Sequence, residues 1–442
     1  METASLEGAA PERAALERAA QERVALKEAV DKYGSPIYVY DAHQIMDNYK
    51  RFVNAFKVEK LKVHYACKAL NNITILKLFR SMGSGLDCVS IQEVQLGLKA
   101  GFDPEDILFT PNNISTEEYE DAISLGVKIN VDNLHMLEYF GMNHPQLPIY
   151  IRINPHLMAG GNQNISVGHI DSKFGISIHQ VPNIERIVKK LGINVMGVHV
   201  HTGSDILDAD VFIKAAELVF SVVEKFDTVT HIDFGSGFKV AYKAEDLHTD
   251  IDAFGKKFGA SFNEFCKRQG KAYTLEFEPG KYMVSNAGYF IAKTNLVKQT
   301  TSCTFIGLDT GFNHFIRPMF YNAHHEIENL SNPDGENKVY NVVGYVCETD
   351  SFAMDRIIPE VRKGDLIMFR NAGAYCFTMA SNYNSRLRPA EVLLFDGNAH
   401  LIRRQETLED LLATHVEADI RFEEPVPVDA DFNETDNNVF SD

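Results

Sequence analysis

Short runs of β-branched and aromatic residues recur through the middle of the chain. Each is followed by a turn and by a stretch whose apolar residues are three or four positions apart. This alternation predicts strands joined by helices, with Ser90 and Ser115 at the N-caps of two of the helices. The predicted strands are 62–69, 84–90, 106–113, 127–133, 148–155, 195–204, 231–237 and 274–280.

Eight strand–helix units match the size of a (β/α)8 barrel, which typically takes about 250 residues. An open, doubly wound sheet would show the same alternation. The ends of the predicted strands favour the barrel, because a barrel builds its active site from many strand ends, whereas a doubly wound sheet binds its ligand at one switch point. The polar or glycine residues at these ends are Lys68, Asp87, Asn112, Asp132, Arg152, His201, Gly235 and Glu278.

After about residue 290 the helical spacing gives way to strand-like runs. We therefore predict an α/β plus β architecture, in which a TIM-like (β/α)8 barrel precedes a C-terminal β-rich domain of sandwich or barrel-like form. The predicted parts are a helical extension outside any core (1–30), a segment whose strand joins the β domain (31–46), the barrel (47–289), the β domain (290–416) and an acidic, disordered tail (417–442).

Composition argues against several classes of protein, namely those that bind nucleic acid, span a membrane or are secreted. The chain has 442 residues, of which 45% are apolar, and a formal net charge of −18, which argues against a nucleic-acid partner. No apolar run is long enough to span a bilayer and no signal-peptide core is present, so we expect a cytoplasmic protein that does not bind membranes. The six cysteines lack zinc-like spacing and are expected to be reduced, and no metal is predicted.

Two strand ends carry candidate catalytic side chains. Lys68 follows an apolar run; alone, such a lysine is more often a solvated surface residue. In a partly buried site its pKa would fall and its amine would form a Schiff base with an aldehyde. His199 and His201 lack neighbouring carboxylates or cysteines at metal-site spacing, so we expect His199 to pack in the core and His201 to lie flat against an aromatic cofactor.

The last two predicted strands end in glycine-rich segments, 234–238 and 277–281. Such segments expose backbone N–H groups, and barrels often bind phosphate at this place. Glu278 is the residue type that keeps the ring nitrogen of pyridoxal phosphate protonated, which lets the ring accept electrons. An ordinary ion pair at the barrel rim is the alternative explanation for Glu278.

Together these motifs resemble the fold-type III pyridoxal-phosphate-dependent decarboxylases, and among them the diaminopimelate decarboxylase family. The resemblance extends over residues 34–414 and implies decarboxylation of meso-2,6-diaminopimelate to L-lysine and CO2, with pyridoxal 5′-phosphate as cofactor. The matching segments are YACKA (65–69), LDCVS (86–90), KFGI (173–176), HTGSDI (201–206), EPGK (278–281), IRPMFY (316–321), CETDSF (347–352) and AGAY (372–375).

The resemblance also implies individual roles. Lys68 would form the Schiff base, His201 would stack on the ring and Glu278 would pair with the ring nitrogen. Cys347 would donate a proton after CO2 leaves, and since it reaches the site from the other subunit in this family, a homodimer with shared active sites is implied. The implied cofactor-binding residues are Lys68, Asp87, His201, Ser204, Gly235, Ser236, Gly237, Glu278, Gly280, Lys281 and Tyr375.

Substrate choice follows from the resemblance in the same way. Arg317 would bind the distal carboxylate and Glu348 the distal amine, and ornithine decarboxylases typically carry aspartate at the position of Glu348. The implied substrate-binding residues are Lys281, Arg317, Tyr321, Glu348 and Tyr375. The alternatives are a sister decarboxylase acting on ornithine, arginine or carboxynorspermidine, or a non-catalytic regulator that binds the cofactor.

Two residues depart from the family pattern. Lys281 stands where the family usually has arginine, and Ser236 replaces a glycine in the predicted phosphate-binding segment. A lysine is a point charge without the planar fork of arginine, so the contact it makes with phosphate or carboxylate differs. Neither change removes a catalytic group.

Overall fold

The computed structural model describes residues 4–156, 172–201, 203 and 209–421. Helix α1 (Ala4–Tyr33), strand β1 (Ile37–Asp41) and helix α2 (Ala42–Ala55) precede a closed ring of eight parallel strands. The ring closes through pairing of the first strand with the last, and one two-residue strand, β7, is added beside β6. The strands are β2 (Leu61–Ala66), β3 (Gly85–Cys88), β4 (Ile107–Phe109), β5 (Lys128–Val131), β6 (Ile149–Asn154), β7 (Ile176–Ser177), β8 (Val195–Val200), β9 (His231–Asp233) and β10 (Thr274–Phe277).

Helices follow the strands of the ring, so the predicted (β/α)8 barrel is confirmed and the doubly wound sheet is excluded. Ser90 accepts a hydrogen bond from the backbone N–H of Glu93, and Ser115 accepts one from Glu118, as N-caps do. The helices are α3 (Ile73–Ser81), α4 (Ile91–Ala100), α5 (Thr116–Ser124), α6 (Leu134–Asn143), α7 (Val181–Leu191), α8 (Ala209–Val223), α9 (Ile251–Gln269) and α10 (Lys281–Val284).

Each strand of the ring begins within one residue of its predicted start but ends earlier than predicted. Most of the polar and glycine residues at the predicted ends belong to the loops that follow the strands, whereas Asp87 and Arg152 lie within β3 and β6. β2, for example, ends at Ala66, and Lys68 lies in a short 3-10 turn. The barrel therefore presents these residues at its carboxyl-terminal rim.

A second, mixed sheet forms the β-rich part of the chain. Strand β1 joins it, pairing antiparallel with β11 and parallel with β17. The other strands are β11 (Gly288–Gln299), β12 (Thr304–Leu308), β13 (Ile327–Asn329), β14 (Asn337–Val343), β15 (Ser351–Pro359), β16 (Leu366–Phe369), β17 (Ala390–Phe395) and β18 (Asn398–Arg403), with short helices α11 (Arg317–Tyr321) and α12 (Leu408–Leu412). Among the described residues, no helix has the length and apolar character needed to cross a bilayer.

The last turns of α1 belong to a core, so the expectation that residues 1–30 lie outside any core was wrong for this part. Leu26, Ala29 and Val30 are buried against the second sheet, next to Ile37 of β1. Their spacing of three and four residues places them on one face of the helix. The predicted tail lies mostly outside the described residues, which end at 421.

A fully buried carboxylate joins the barrel to the second sheet. Glu391 of β17 accepts hydrogen bonds from the hydroxyl of Tyr40 (2.8 Å) and from the side-chain amide of Asn72 (3.0 Å), the N-cap of barrel helix α3. The guanidinium of Arg403 forms an ion pair with it. One charge thus satisfies donors from both parts of the fold.

We expect Glu391→Ala to lower the free energy of unfolding by about 3 kcal/mol, because it leaves Tyr40 and Asn72 without their acceptor in a buried site. Urea unfolding followed by circular dichroism measures this change. The control is Glu360→Ala, which removes a solvent-accessible partner of Lys338 and Arg362 and should leave the free energy of unfolding nearly unchanged. Equal losses in the two variants would contradict the role of Glu391.

Candidate active site

A cavity of about 420 Å³ opens at the carboxyl-terminal rim of the barrel. Most residues predicted to bind the cofactor line it, although they come from strands and loops far apart in the chain. These are Lys68, His201, Ser236, Gly237, Glu278, Gly280, Lys281 and Tyr375. Asp87 and Gly235 lie directly behind this lining, as their contacts with Lys68 and His201 show, and Ser204 is outside the described residues.

Lys68 is tied to the neighbouring strand. Its Nζ donates a hydrogen bond to Oδ2 of Asp87 at 3.0 Å, while Lys68 is open to the cavity and Asp87 is buried. Burial acts to lower the pKa of Lys68, but the negative charge of Asp87, with smaller contributions from Tyr375 and Glu278, raises it above its usual range. The predicted lowering of this pKa was therefore wrong, because sequence reasoning did not place Asp87 against the amine.

Glu278 is held in place by His199, a histidine of β8. Its Oε2 lies 3.2 Å from Nε2 of His199, and its Oε1 is buried without a hydrogen-bond partner. Burial would raise the pKa of Glu278, but its contact with His199 and the charge of Lys68 hold it well below its usual range. Glu278 is therefore an ionised carboxylate with one oxygen available to a ligand in the cavity.

His199 is fully buried, as predicted, but its ring also contacts the carboxylate of Glu278. Residues two apart on a strand point to the same side, so His199 and His201 both face the barrel interior. His201 lines the cavity, and His199 lies beneath it against Glu278. The His-x-His spacing was the signal that identified both positions.

His201 is fixed in a neutral form. The backbone N–H of Ser236 donates to its Nδ1 at 3.1 Å, which places the ring proton on Nε2. Burial, with the positive charges of Arg152 and Lys68, lowers the pKa of His201 to about 3. A neutral ring of this kind can lie against an aromatic ligand without a charge penalty.

The glycine-rich segment after β9 passes too close to His201 to carry a side chain at Gly235. Gly235 has a φ of +63°, and a Cβ atom there would lie 2.5 Å from Nδ1 of His201. Glycine is therefore required for the loop to pass so close to the histidine. Its backbone N–H donates to Asp233 at 2.7 Å, whereas Ser236 and Gly237 border the cavity.

Further charged residues lie below the site, inside the barrel. Asp233 and Glu276 are fully buried, and His64 lies 3.4 Å from Glu276. One carboxylate oxygen each of Asp233 and Glu278 and one ring nitrogen of His199 lie within 4.8 Å of one another. The same holds for Asp233, Glu276 and His64. The polar site at the rim thus continues downwards through two layers of acids and histidines.

The residues predicted to bind the substrate lie partly outside the cavity lining. Arg317 of α11 is 9% exposed and contacts the hydroxyl of Tyr242 (3.2 Å) and the ring of His325 (3.4 Å). Tyr321 lies one helical turn beyond it, 3.9 Å from the sulfur of Met379.

Cys347 and Glu348 are exposed and do not line the cavity of their own chain. The thiol of Cys347 is 3.2 Å from the amide oxygen of Asn384, and Tyr383 donates to Glu348 at 2.8 Å. A single chain therefore does not bring these two predicted residues to Lys68.

Several lining residues were not predicted to function. Arg152 and Asn112 were recognised as polar strand ends but received no role. Phe174 lies in the KFGI segment and Thr110 in a predicted strand, and neither was given a role. The guanidinium of Arg152 stacks on the ring of Phe174, with 4.7 Å between its central carbon and the ring centroid. This contact shapes the wall of the cavity beside His201.

The chain is similar to known proteins over most of its length. Residues 42–285 match the family described as pyridoxal-dependent decarboxylase, pyridoxal binding domain. The diaminopimelate decarboxylase of Methanothermobacter thermautotrophicus is 39% identical over 396 residues, which cover 87% of this chain and 92% of that protein. The corresponding enzyme of Escherichia coli K12 is 32% identical, with 86% and 94% covered. The crystal structure of diaminopimelate decarboxylase from Helicobacter pylori complexed with L-lysine superimposes with a TM-score of 0.81 at 32% identity, covering 88% of this chain and 98% of that one.

Asp233 makes stability depend on pH in a testable way. Burial and the neighbouring Glu278 and Glu276 raise its pKa well above the usual range, so the folded protein keeps a proton that the unfolded chain releases above about pH 4. Folding stability is then lost as pH rises, by about 1.4 kcal/mol per unit while the folded form stays protonated. Asp233→Asn removes this loss and its amide oxygen still accepts the Gly235 N–H.

We therefore expect Asp233→Asn to be more stable than the wild type at pH 7, and by less at pH 5. Thermal unfolding at both pH values measures the difference. Asp227→Asn, at an exposed position, should show no such trend. A gain that is equal at the two pH values would contradict the buried, protonated Asp233.

Proposed function

The chain belongs to the diaminopimelate decarboxylase family of pyridoxal-dependent decarboxylases, and we propose on that basis that it converts meso-2,6-diaminopimelate to L-lysine and CO2. The observation that carries the proposal is the convergence of an amine, Lys68, and an ionised acid, Glu278, on one cavity at the barrel rim. Each influences the pKa of the other, which requires them to be close. A cytoplasmic location stays a prediction.

The residues present fit pyridoxal 5′-phosphate. Oε1 of Glu278 is a buried acceptor without a partner, suited to a protonated ring nitrogen. The loop at Gly235 has no room for a Cβ beside His201, as expected where backbone N–H groups approach a phosphate. When bound, the cofactor supplies an electron-accepting ring that withdraws the electron pair of the bond to the departing carboxyl group.

The protein's own side chains would act around that ring. Lys68 is the residue that would hold the aldehyde carbon, and Asp87 beside it fixes the position of the amine through a hydrogen bond. Glu278, kept ionised by His199, would hold the proton on the ring nitrogen. His201 would lie against the ring face, while Lys281 and Tyr375 would help to hold the phosphate.

Arg317 supports a substrate with a second carboxylate. Among the described residues, no carboxylate forms an ion pair with its guanidinium, although the side chain is buried. A buried cation without an anionic partner is costly, so the site favours an anionic ligand. Arg317 also influences the pKa of Tyr375, a residue of the cavity lining. The distal carboxylate of diaminopimelate would meet this need, whereas ornithine and arginine have no such group.

Cys347 and Glu348 support a homodimer with shared sites. Both are exposed in the single chain, and neither lines the cavity. The second sheet also leaves large apolar side chains uncovered, among them Met354, Ile357 and Val339. We infer that a second copy covers this surface and brings its Cys347 to the cavity, where the thiol would protonate the carbon that has lost CO2.

Lys68→Ala should abolish CO2 release from meso-diaminopimelate in the presence of the cofactor, a loss of at least about 1,000-fold, because it removes the nucleophilic amine. Lysine formation followed by chromatography measures it. Lys62→Ala is the control, since that lysine pairs with Asp106 away from the cavity. Full activity of Lys68→Ala would contradict the proposed function.

The same assay with ornithine, arginine and carboxynorspermidine separates the alternatives. We expect meso-diaminopimelate to be turned over much faster than each of the other three substrates. Faster turnover of any of them would assign the chain to a sister decarboxylase. Bound cofactor without CO2 release from all four would favour a regulator.

Mixing two inactive variants tests the shared site. Cys347→Ala and Lys68→Ala should each be nearly inactive, whereas a mixture refolded or exchanged at equal amounts should recover about a quarter of the wild-type activity. Half of the dimers would then be mixed, and each mixed dimer would have one complete site. Absence of recovery, with mixed dimers shown by mass spectrometry, would contradict the contribution of Cys347 across the interface.

A further inference from the structure

Arg317 is held by two neutral groups that come from the two parts of the fold. Its Nε donates to Nε2 of His325 at 3.4 Å, and His325 precedes β13 in the second sheet. Its Nη2 donates to the hydroxyl of Tyr242 at 3.2 Å, and Tyr242 lies in the loop between β9 and α9 of the barrel. The guanidinium is therefore restrained at two of its three nitrogens.

His325 has a single tautomer that suits this contact. Its Nδ1 lies 2.9 Å from the carbonyl oxygen of Arg370, so Nδ1 carries the proton and donates it. Nε2 is then a lone pair, which can accept from Arg317. The residue is 2% exposed, and burial together with the charge of Arg317 lowers the pKa of His325 to about 3. It stays a neutral acceptor throughout the physiological range.

Tyr242 is also fixed in place. The carboxylate of Asp246 accepts from the backbone N–H of Tyr242 at 2.9 Å, and Asn371 donates to the carbonyl of Ala241. The Tyr242 hydroxyl lies 3.3 Å from the hydroxyl of Ser285, to which it can donate while it accepts from Arg317. Its ring also packs edge-on against His325, at 5.3 Å between centroids.

Neutral acceptors at both contacts have a consequence for ligand choice. A carboxylate in either place would neutralise the guanidinium and compete with an anionic ligand. An imidazole lone pair and a hydroxyl oxygen fix the orientation of Arg317 but leave its positive charge unmatched. The remaining N–H groups on Nη1 and Nη2 form the fork that binds a carboxylate with two hydrogen bonds.

We propose that His325 and Tyr242 are positioning residues that orient Arg317 toward the distal carboxylate, and so determine the preference for ligands with a second amino-acid head over diamines. This inference rests on the proposed function and names the groups that give the same site its specificity. Neither residue touches the reacting atoms.

Two ligands that differ by one carboxylate test the inference. L-lysine is the product and carries the distal carboxylate, whereas cadaverine is the same chain without it. Inhibition constants for both, the KM and kcat for meso-diaminopimelate, and the binding of both ligands by calorimetry are measured on the cofactor-loaded protein. The variants are His325→Leu, His325→Gln and Tyr242→Phe, with Arg317→Ala as the reference.

We expect His325→Leu and Tyr242→Phe to weaken L-lysine binding by about tenfold, the effect of losing one charge-assisted hydrogen bond, while cadaverine binding changes less than about twofold. KM should rise about tenfold with a smaller change in kcat. His325→Gln should recover part of the L-lysine affinity, because its amide oxygen can accept from Arg317. Arg317→Ala should show the largest loss of L-lysine affinity, again with little change in cadaverine binding.

His324→Ala is the matched control, since His324 is the neighbouring histidine but contacts Glu326 and Arg356 instead of Arg317. It should leave the ratio of the two affinities unchanged. Equal weakening of L-lysine and cadaverine in the His325 variants would mean a purely structural role, and unchanged L-lysine binding would mean no role; either overturns the inference. If the wild type binds L-lysine selectively but does not release CO2 from meso-diaminopimelate, the proposed function fails while the inference about Arg317 stands.

Discussion

An ionised carboxylate held in a buried cavity is the interaction on which this active site depends. Burial alone would raise the pKa of Glu278, and the carboxylate stays charged because His199 lies 3.2 Å away and the amine of Lys68 faces the same space. The cost of burying the charge is thus offset by fixed neighbours before any ligand arrives. One oxygen is left without a partner, so the carboxylate is prepared to accept a proton-bearing ring nitrogen. The amine of Lys68, restrained by Asp87, completes the arrangement from another side of the cavity.

The barrel supports this site with a polar interior. Barrel cores are usually filled with branched apolar side chains, whereas here Asp233, Glu276 and His64 are fully buried beneath the catalytic layer. Several of their polar atoms have no hydrogen-bond partner among the described residues. Such groups reduce stability, and proteins retain them where they serve a site. Buried polar contacts elsewhere, such as the hydrogen bonds of Glu391 between the barrel and the second sheet, contribute stability that offsets this cost.

The repeating order of strands and helices was predictable because the units obey local rules: short apolar runs of three to six residues, polar residues at strand ends, and capping serines at two of the helices. The residues at the rim were predictable for the same reason, since the carboxyl ends of barrel strands all meet there. Contacts between distant segments were not predictable. His199 and Glu278 are 79 positions apart, Arg317 and Tyr242 are 75 apart, and Glu391 is 319 positions from Asn72. The shift in the pKa of Lys68 was predicted in the wrong direction for this reason, because it depends on the contact with Asp87. The packing of α1 was missed because it depends on a surface of the second sheet that the local sequence does not reveal.

The state of the cofactor's ring nitrogen tests the central claim most directly. Nitrogen-15 NMR of the protein loaded with pyridoxal phosphate labelled at the ring nitrogen reports whether that atom carries a proton. We expect a protonated nitrogen in the wild type and an unprotonated one in Glu278→Gln, with the cofactor bound in both. The same resonance position in the two proteins would contradict the pairing of Glu278 with the ring.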